Sequence, residues 1–263
     1  MLDLSKPWPL TLTRTGWLAF GLGFVAVLAI VHLIDVPVSL WAQAWPQPVR
    51  DFFFATTDFG KSDWFLIPSL ALFIVSGLLA LLIPKPTARR ALWQVTGLWA
   101  FFFVGVGLPG LLSNLIKRVI GRGRPELFEQ HGSLSFQNFL NDWTYQSFPS
   151  GHATTGFAVC FVVSFVSPRW LPLMLLFAIA ISLSRIVVGA HYPTDALGGA
   201  LVGTLGAYLV RNFFAARGWV FRRRADGRIE MRDLVAVKRL LQRRGRTSYS
   251  PPGSDRVPPA DRP

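Results

Sequence analysis

The chain has 263 residues and one cysteine, Cys160. No disulfide can form within it, and a lone thiol in an apolar run reads as buried and inert. Charge is scarce as well. Only 16% of the residues are Asp, Glu, Lys or Arg, against about 25% in ordinary soluble domains. The four histidines and one cysteine form no Cys/His/carboxylate cluster at metal-ligand spacing. There is no glycine-rich nucleotide loop. What fills the chain is apolar: 51% hydrophobic residues and 14% aromatic. Such a balance describes an all-α, polytopic membrane helix bundle.

Read in order, residues 1–15 are polar, hold Lys6 and Arg14, and read as a cytoplasmic segment. Six transmembrane helices are expected within residues 16–211. The first runs from 16 to about 34; it is too long for a signal-peptide core and lacks a cleavage pattern. The second spans 64–83 and the third 91–116. The fourth begins at the 147–152 stretch and ends near Pro168, and the fifth follows Pro172 and ends near Val188. The sixth, about 195–211, carries Gly198, Gly199, Gly203 and Gly206 as a small-residue packing face. Between the first two, residues 35–63 read as an interfacial helix with Trp41 and Trp45, then a solvated loop; His32 reads as an interfacial histidine. Residues 212–263 form a basic cytoplasmic tail. Residues 229–244 are expected to be a basic amphipathic helix on anionic lipid, with disorder from Gly245.

Orientation follows from charge. With both termini in the cytoplasm, 20 of the 27 Lys and Arg fall inside, as the positive-inside rule requires. This accounts for the basic tail without nucleic acid. Lys117, Arg118, Arg122, Arg124 and Arg185 then lie on the outer side against the trend, with His152, His191 and Asp195. Cations placed against the rule need another reason, and an anion supplies one. Asp195 follows His191 by four residues, so a helical turn would put both on one face.

Three segments therefore end spans on the same side: Lys117 to Pro125, Pro149 to His152, and Ser184 to Asp195. They supply cations, two histidines, a carboxylate and a Ser-Gly at a helix start, which suits metal-free phosphoryl transfer. The pattern Lys117-x6-Arg124-Pro125, Pro149-Ser150-Gly151-His152 and Ser184-Arg185-x5-His191-x3-Asp195 resembles the three-part signature of the type 2 phosphatidic acid phosphatase (PAP2) family. The resemblance covers about residues 60–210.

That resemblance implies a bacterial-type lipid phosphate phosphatase of the cytoplasmic (inner) membrane, working on its outer face without metal or other cofactor. His191 would be the nucleophile that forms a phosphohistidine, Asp195 its partner, and His152 the proton donor to the leaving group and activator of water. Lys117, Arg124 and Arg185 would hold the phosphoryl oxygens, with the backbone N–H groups of Ser150 and Gly151 at a helix start. Arg118 and Arg122 lie outside the signature and read as solvated surface charge. The expected partners are membrane lipids and a lipid phosphate: phosphatidic acid, phosphatidylglycerol phosphate, undecaprenyl diphosphate or a lipid A phosphate. Three other readings share the anion pocket: a soluble vanadium-dependent haloperoxidase, a non-hydrolytic lipid-phosphate transporter, and a headgroup phosphotransferase. Oligomeric state is not legible.

Overall fold

The computed structural model describes residues 2–139 and 141–238. Its helices are α1 Arg14–Gln43, α2 Gln47–Asp58, α3 Asp63–Leu82, α4 Pro86–Ile120, the short α5 Phe128–His131, α6 Gly151–Val166, α7 Leu171–Val187 and α8 Pro193–Ala216. A small hairpin follows, β1 Phe221–Arg223 paired antiparallel with β2 Ile229–Met231.

Helix ends fall where local chemistry puts them. The Thr13 hydroxyl accepts the Gly16 N–H at 3.1 Å and starts α1. Pro86 and Pro193 occupy the first turns of α4 and α8, where a missing N–H costs nothing. α4 stops at Gly121, whose φ of +62 is left-handed. A Cβ there would sit 1.9 Å from the Gln137 carbonyl oxygen, so only glycine fits.

α1 differs from expectation. It does not stop near residue 34 but continues through Asp35 and Pro37 to Gln43. Pro37 removes only one ladder bond, and the Asp35 carboxylate is buried with partners, so its charge does not end the helix. The interfacial piece is shorter than expected and is α2.

α6 is the centre of the bundle. Ala153, Ala158, Cys160 and Val162 on it are wholly buried. The expected glycine face of α8 packs on it: a Cβ at Gly199 would meet the Ser150 oxygen at 2.4 Å, and one at Gly203 the Thr154 oxygen at 2.4 Å. Helix backbones are therefore in contact, as small residues permit. α1 and α3 instead carry exposed apolar side chains such as Leu22, Leu33, Ile67 and Leu82, a surface suited to lipid.

Among the described residues, four stretches are long and apolar enough to cross a membrane: Arg14–Gln43, Gln47–Leu82, Pro86–Ile120 and Pro168–Val187. α6 is apolar but has 16 residues, about 24 Å against a hydrocarbon core of about 30 Å.

The ends of the chain that are described fold onto one end of the bundle. Phe221 and Ile229 of the hairpin are buried with Phe101, Phe165 and Phe214, and Leu4 and Trp8 pack against them. Arg211 is buried and donates to the carbonyls of Leu4, Lys6 (2.5 Å) and Pro7 (3.1 Å). The Ile229 N–H donates to the Ser5 carbonyl at 2.7 Å. Where an amphipathic helix was expected from residue 229, Ile229–Met231 is a strand. Gly227, at φ +80, makes the turn that lets this strand fold back on β1. The expected helix beyond residue 238 and the disorder from Gly245 lie outside the described residues.

Candidate active site

Each predicted segment delivers its side chains to one cleft at the opposite end of the bundle. The cleft holds about 550 Å³, and Lys117, Arg124, Gly151, His152, Arg185 and His191 all line it. The last turn of α4 carries Lys117, whose Nζ donates to the Gln146 carbonyl at 3.1 Å. The loop after α4 carries Arg124. Its Nε donates to the Trp143 carbonyl at 3.0 Å and its guanidinium stacks 4.9 Å above the Trp143 ring. The last turn of α7 carries Arg185, which donates to the Thr57 hydroxyl at 2.7 Å. The Arg185 Nε is buried and has no partner among the described residues. Three cations thus face one space, and a phosphoryl group would supply acceptors they lack.

The start of α6 meets that space. Ser150 is fully buried and its hydroxyl accepts the Ala153 N–H at 3.5 Å, a helix cap. Its own N–H differs from expectation: it donates to the Asp195 carbonyl at 2.9 Å and is not free for a ligand. The orphan amides of the first turn are those of Gly151 and His152. A Cβ at Gly151 would lie 3.7 Å from Lys117 Nζ, so the glycine keeps the approach open.

His191 sits in the turn before α8, not on its face, and is 2% exposed. Its Nδ1 is 3.6 Å from Asp195 Oδ2 and 3.5 Å from the Ser147 hydroxyl. The turn, rather than a helical repeat, brings the pair together. Asp195 itself accepts from the Ser147 hydroxyl at 2.5 Å, the Tyr192 N–H at 2.9 Å and Arg122 at 2.7 Å. Nδ1 therefore faces the carboxylate, and Nε2 makes no hydrogen bond among the described residues. Burial pushes His191 down to about 3; Asp195 resists this, while Lys117 and Arg124 add to it. The imidazole is neutral at neutral pH, the form that can attack.

Arg122 needs correction. Arg122 was expected to be solvated surface charge. It is 5% exposed, donates to Asp195, to Asp35 at 2.8 Å and to the Thr194 hydroxyl at 2.6 Å, and lies 4.5 Å over the Tyr192 ring. Burial works against its charge, but Asp195 and Asp35 outweigh that and raise its pKa. His32, expected at an interface, contacts Asp35 at 3.1 Å. Gly60 was missed altogether: a Cβ there would come 2.8 Å from the His152 ring and 2.6 Å from Ile181. The signal available in the sequence was Asp35, a carboxylate beside a membrane span that needed a buried partner.

The family model of the PAP2 superfamily matches residues 98–219. The lipid A 1-phosphatase of Rhizobium johnstonii is 34% identical over 202 residues, covering 77% of this chain and 82% of its own. The lipid A 4'-phosphatase of Bacteroides thetaiotaomicron is 35% identical over 209 residues, 73% of this chain and 81% of that one. Among solved structures, the transmembrane PAP2 type phosphatidylglycerolphosphate phosphatase from Bacillus subtilis aligns with a TM-score of 0.49 at 22% identity, over 74% of this chain and 94% of that chain. The family model lies across all three cleft-forming segments, the relatives extend over most of the chain, and the chain belongs to the PAP2 superfamily.

Proposed function

We propose that this chain, a membrane lipid phosphatase of the PAP2 type, works through a phosphohistidine on His191. The observation that carries the reading is the single cleft lined by Lys117, Arg124, Arg185, His152 and His191, with Asp195 behind His191. His191 Nε2 attacks phosphorus while Asp195 holds the Nδ1 proton and stabilises the cationic ring. The P–O bond to the lipid breaks, and His152, which takes up a proton when the phosphate dianion binds among the cations, gives that proton to the leaving oxygen. Lys117, Arg124 and Arg185 take the charge on the equatorial oxygens, helped by the first amides of α6. His152 then takes a proton from water, whose oxygen displaces His191 and releases inorganic phosphate. No step in this scheme calls for a metal.

The substrate proposed is a lipid A phosphate, supported by relatives named for removing the 1- and 4'-phosphates. The site would lie on the outer face of a bacterial inner membrane, with six crossings and both termini inside. Support comes from two pairs of neighbours. Lys117 ends α4 and Arg185 ends α7, yet both line one cleft, so α6 must carry the chain back between them. Arg211 near the end of α8 binds the segment before α1, so α8 returns the chain as well.

The test is phosphate release by purified protein in EDTA from lipid A, phosphatidic acid, phosphatidylglycerol phosphate and undecaprenyl diphosphate. Lipid A is expected to be the best substrate. His191→Ala should lose at least about 10⁴-fold in kcat, as removal of a nucleophile does. A variant lacking His191 that still turns over would sink the mechanism. Activity on phosphatidic acid with none on lipid A would sink the substrate assignment alone.

A further inference from the structure

α1 lies outside the segment that the family model matches, yet it reaches the reacting centre through one chain of contacts. Asp35, in the second half of α1, is wholly buried. Its Oδ2 accepts from Arg122 at 2.8 Å and from the Thr194 hydroxyl at 2.6 Å, and its Oδ1 accepts the Thr194 N–H at 3.0 Å. The other arm of Arg122 donates to Asp195 Oδ1 at 2.7 Å. Asp195 Oδ2 faces His191 Nδ1.

We propose that Asp35 and Arg122 are positioning residues for Asp195, and that α1 thereby sets the geometry and charge felt by His191. This rests on the reading of His191 as nucleophile and Asp195 as its partner. The charge count gives the physical reason. Asp35, Arg122 and Asp195 together carry a net charge of −1 next to a neutral imidazole. When His191 bonds to phosphorus the ring becomes cationic and the buried cluster reaches zero. Arg122 prevents two buried carboxylates from facing each other unpaired, and its planar fork fixes the Asp195 carboxylate on the side away from the ring. Asp35 fixes Arg122 in turn and also caps the backbone at Thr194, at the start of α8. A lysine at 122 would keep the charge but could not span both carboxylates in that geometry.

Removing one member of such a cluster leaves a buried charge uncompensated, whereas removing a matched pair does not. This separates a positioning role from a merely structural one. The variants are Arg122→Lys, Arg122→Met, Asp35→Asn and the double variant Asp35→Asn/Arg122→Met, with His191→Ala as control. The readouts are thermal melting in detergent, kcat and KM for phosphate release, and competitive inhibition by inorganic phosphate. Arg122→Met alone is expected to melt early. The double variant should recover most of the melting temperature and keep its phosphate inhibition constant within about threefold, because Lys117, Arg124 and Arg185 are untouched. Its kcat should stay down about 10- to 100-fold with KM little changed, the scale known for losing the outer partner of a metal-bound histidine. Arg122→Lys should fold and show the same fall in kcat.

A double variant or an Arg122→Lys enzyme with wild-type kcat would overturn the proposal, since the contacts would then serve folding only. A fall that appears wholly in KM and phosphate inhibition would overturn it too, because the cluster would then act on binding. The control separates this from failure of the underlying reading: an active His191→Ala enzyme condemns the nucleophile, whatever the cluster does.

Discussion

At the scale of single residues, the site works by holding ionisable groups in unusual states. His191 is the clearest case. Its value of about 3 in the folded protein lies below the ordinary 6.5. Between those two values the unfolded chain therefore binds a proton that the folded one does not. The stability that burial of the neutral ring contributes is complete above about pH 6.5 and drains away as the pH falls toward 3. Thermal melts from pH 7.5 to 4 should show a steeper loss in wild type than in His191→Gln, which cannot titrate; equal slopes would contradict the burial assignment. The second case is steric. Gly60 lies so close to the His152 ring that a side chain must displace it. Gly60→Val should cut kcat by about 10²-fold, the cost of moving a catalytic group by about 1 Å. The phosphate inhibition constant should hold, because the three cations stay where they are.

At the scale of elements, much was legible because the constraints are local. Apolar runs gave α3, α4 and α7 within a few residues of their ends, and the small residues of α8 announced a close neighbour. What was hidden depends on distant partners. Asp35 and Pro37 look like a helix end until Arg122, 87 residues away, is known to pair with the carboxylate. Arg122 looks like one more surface cation among four in nine positions, and spacing alone cannot separate it from Arg124. The strand at Ile229–Met231 reads as part of a basic helix until Phe101 and Phe214 bury its partner. Ser150 was correctly placed at a helix start, but its N–H was assigned to a ligand because Asp195 could not be seen beside it. The α6–α8 contact makes a prediction at this same scale. A Cβ at Gly203 would meet backbone, the Thr154 oxygen, which cannot swing aside, whereas Gly110 of α4 faces open space. Gly203→Leu should destabilise by at least about 1–3 kcal/mol, the usual cost of overpacking. It should also lower activity by prising the start of α6 from the start of α8. Gly110→Leu should melt like wild type. Comparable melting temperatures for both would mean that the two helices do not pack through their backbones.

At the scale of the whole molecule, the arrangement separates two kinds of positive charge. Those lining the cleft are held by Gln146, Trp143 and Thr57, and Arg122 behind them by Asp35 and Asp195. Those of the hairpin are exposed and surround the end where the amino-terminal segment docks. In the proposed topology these ends lie on opposite sides of the membrane, and the excess of Lys and Arg at the hairpin end is what the positive-inside rule expects of a cytoplasmic end. Chemical labelling can test this sidedness because the chain has only one cysteine and it is buried. In a Cys160→Ala background, Gln130→Cys sits on the exposed short helix α5 at the cleft end, and Asp226→Cys sits in the exposed hairpin turn. A membrane-impermeant maleimide applied to intact spheroplasts should label position 130 at once and position 226 only after permeabilisation. The reverse order would put the cleft in the cytoplasm and remove the outer leaflet as its source of substrate. Labelling of both positions in intact spheroplasts would mean that α8 does not return the chain, and six crossings would no longer describe the protein.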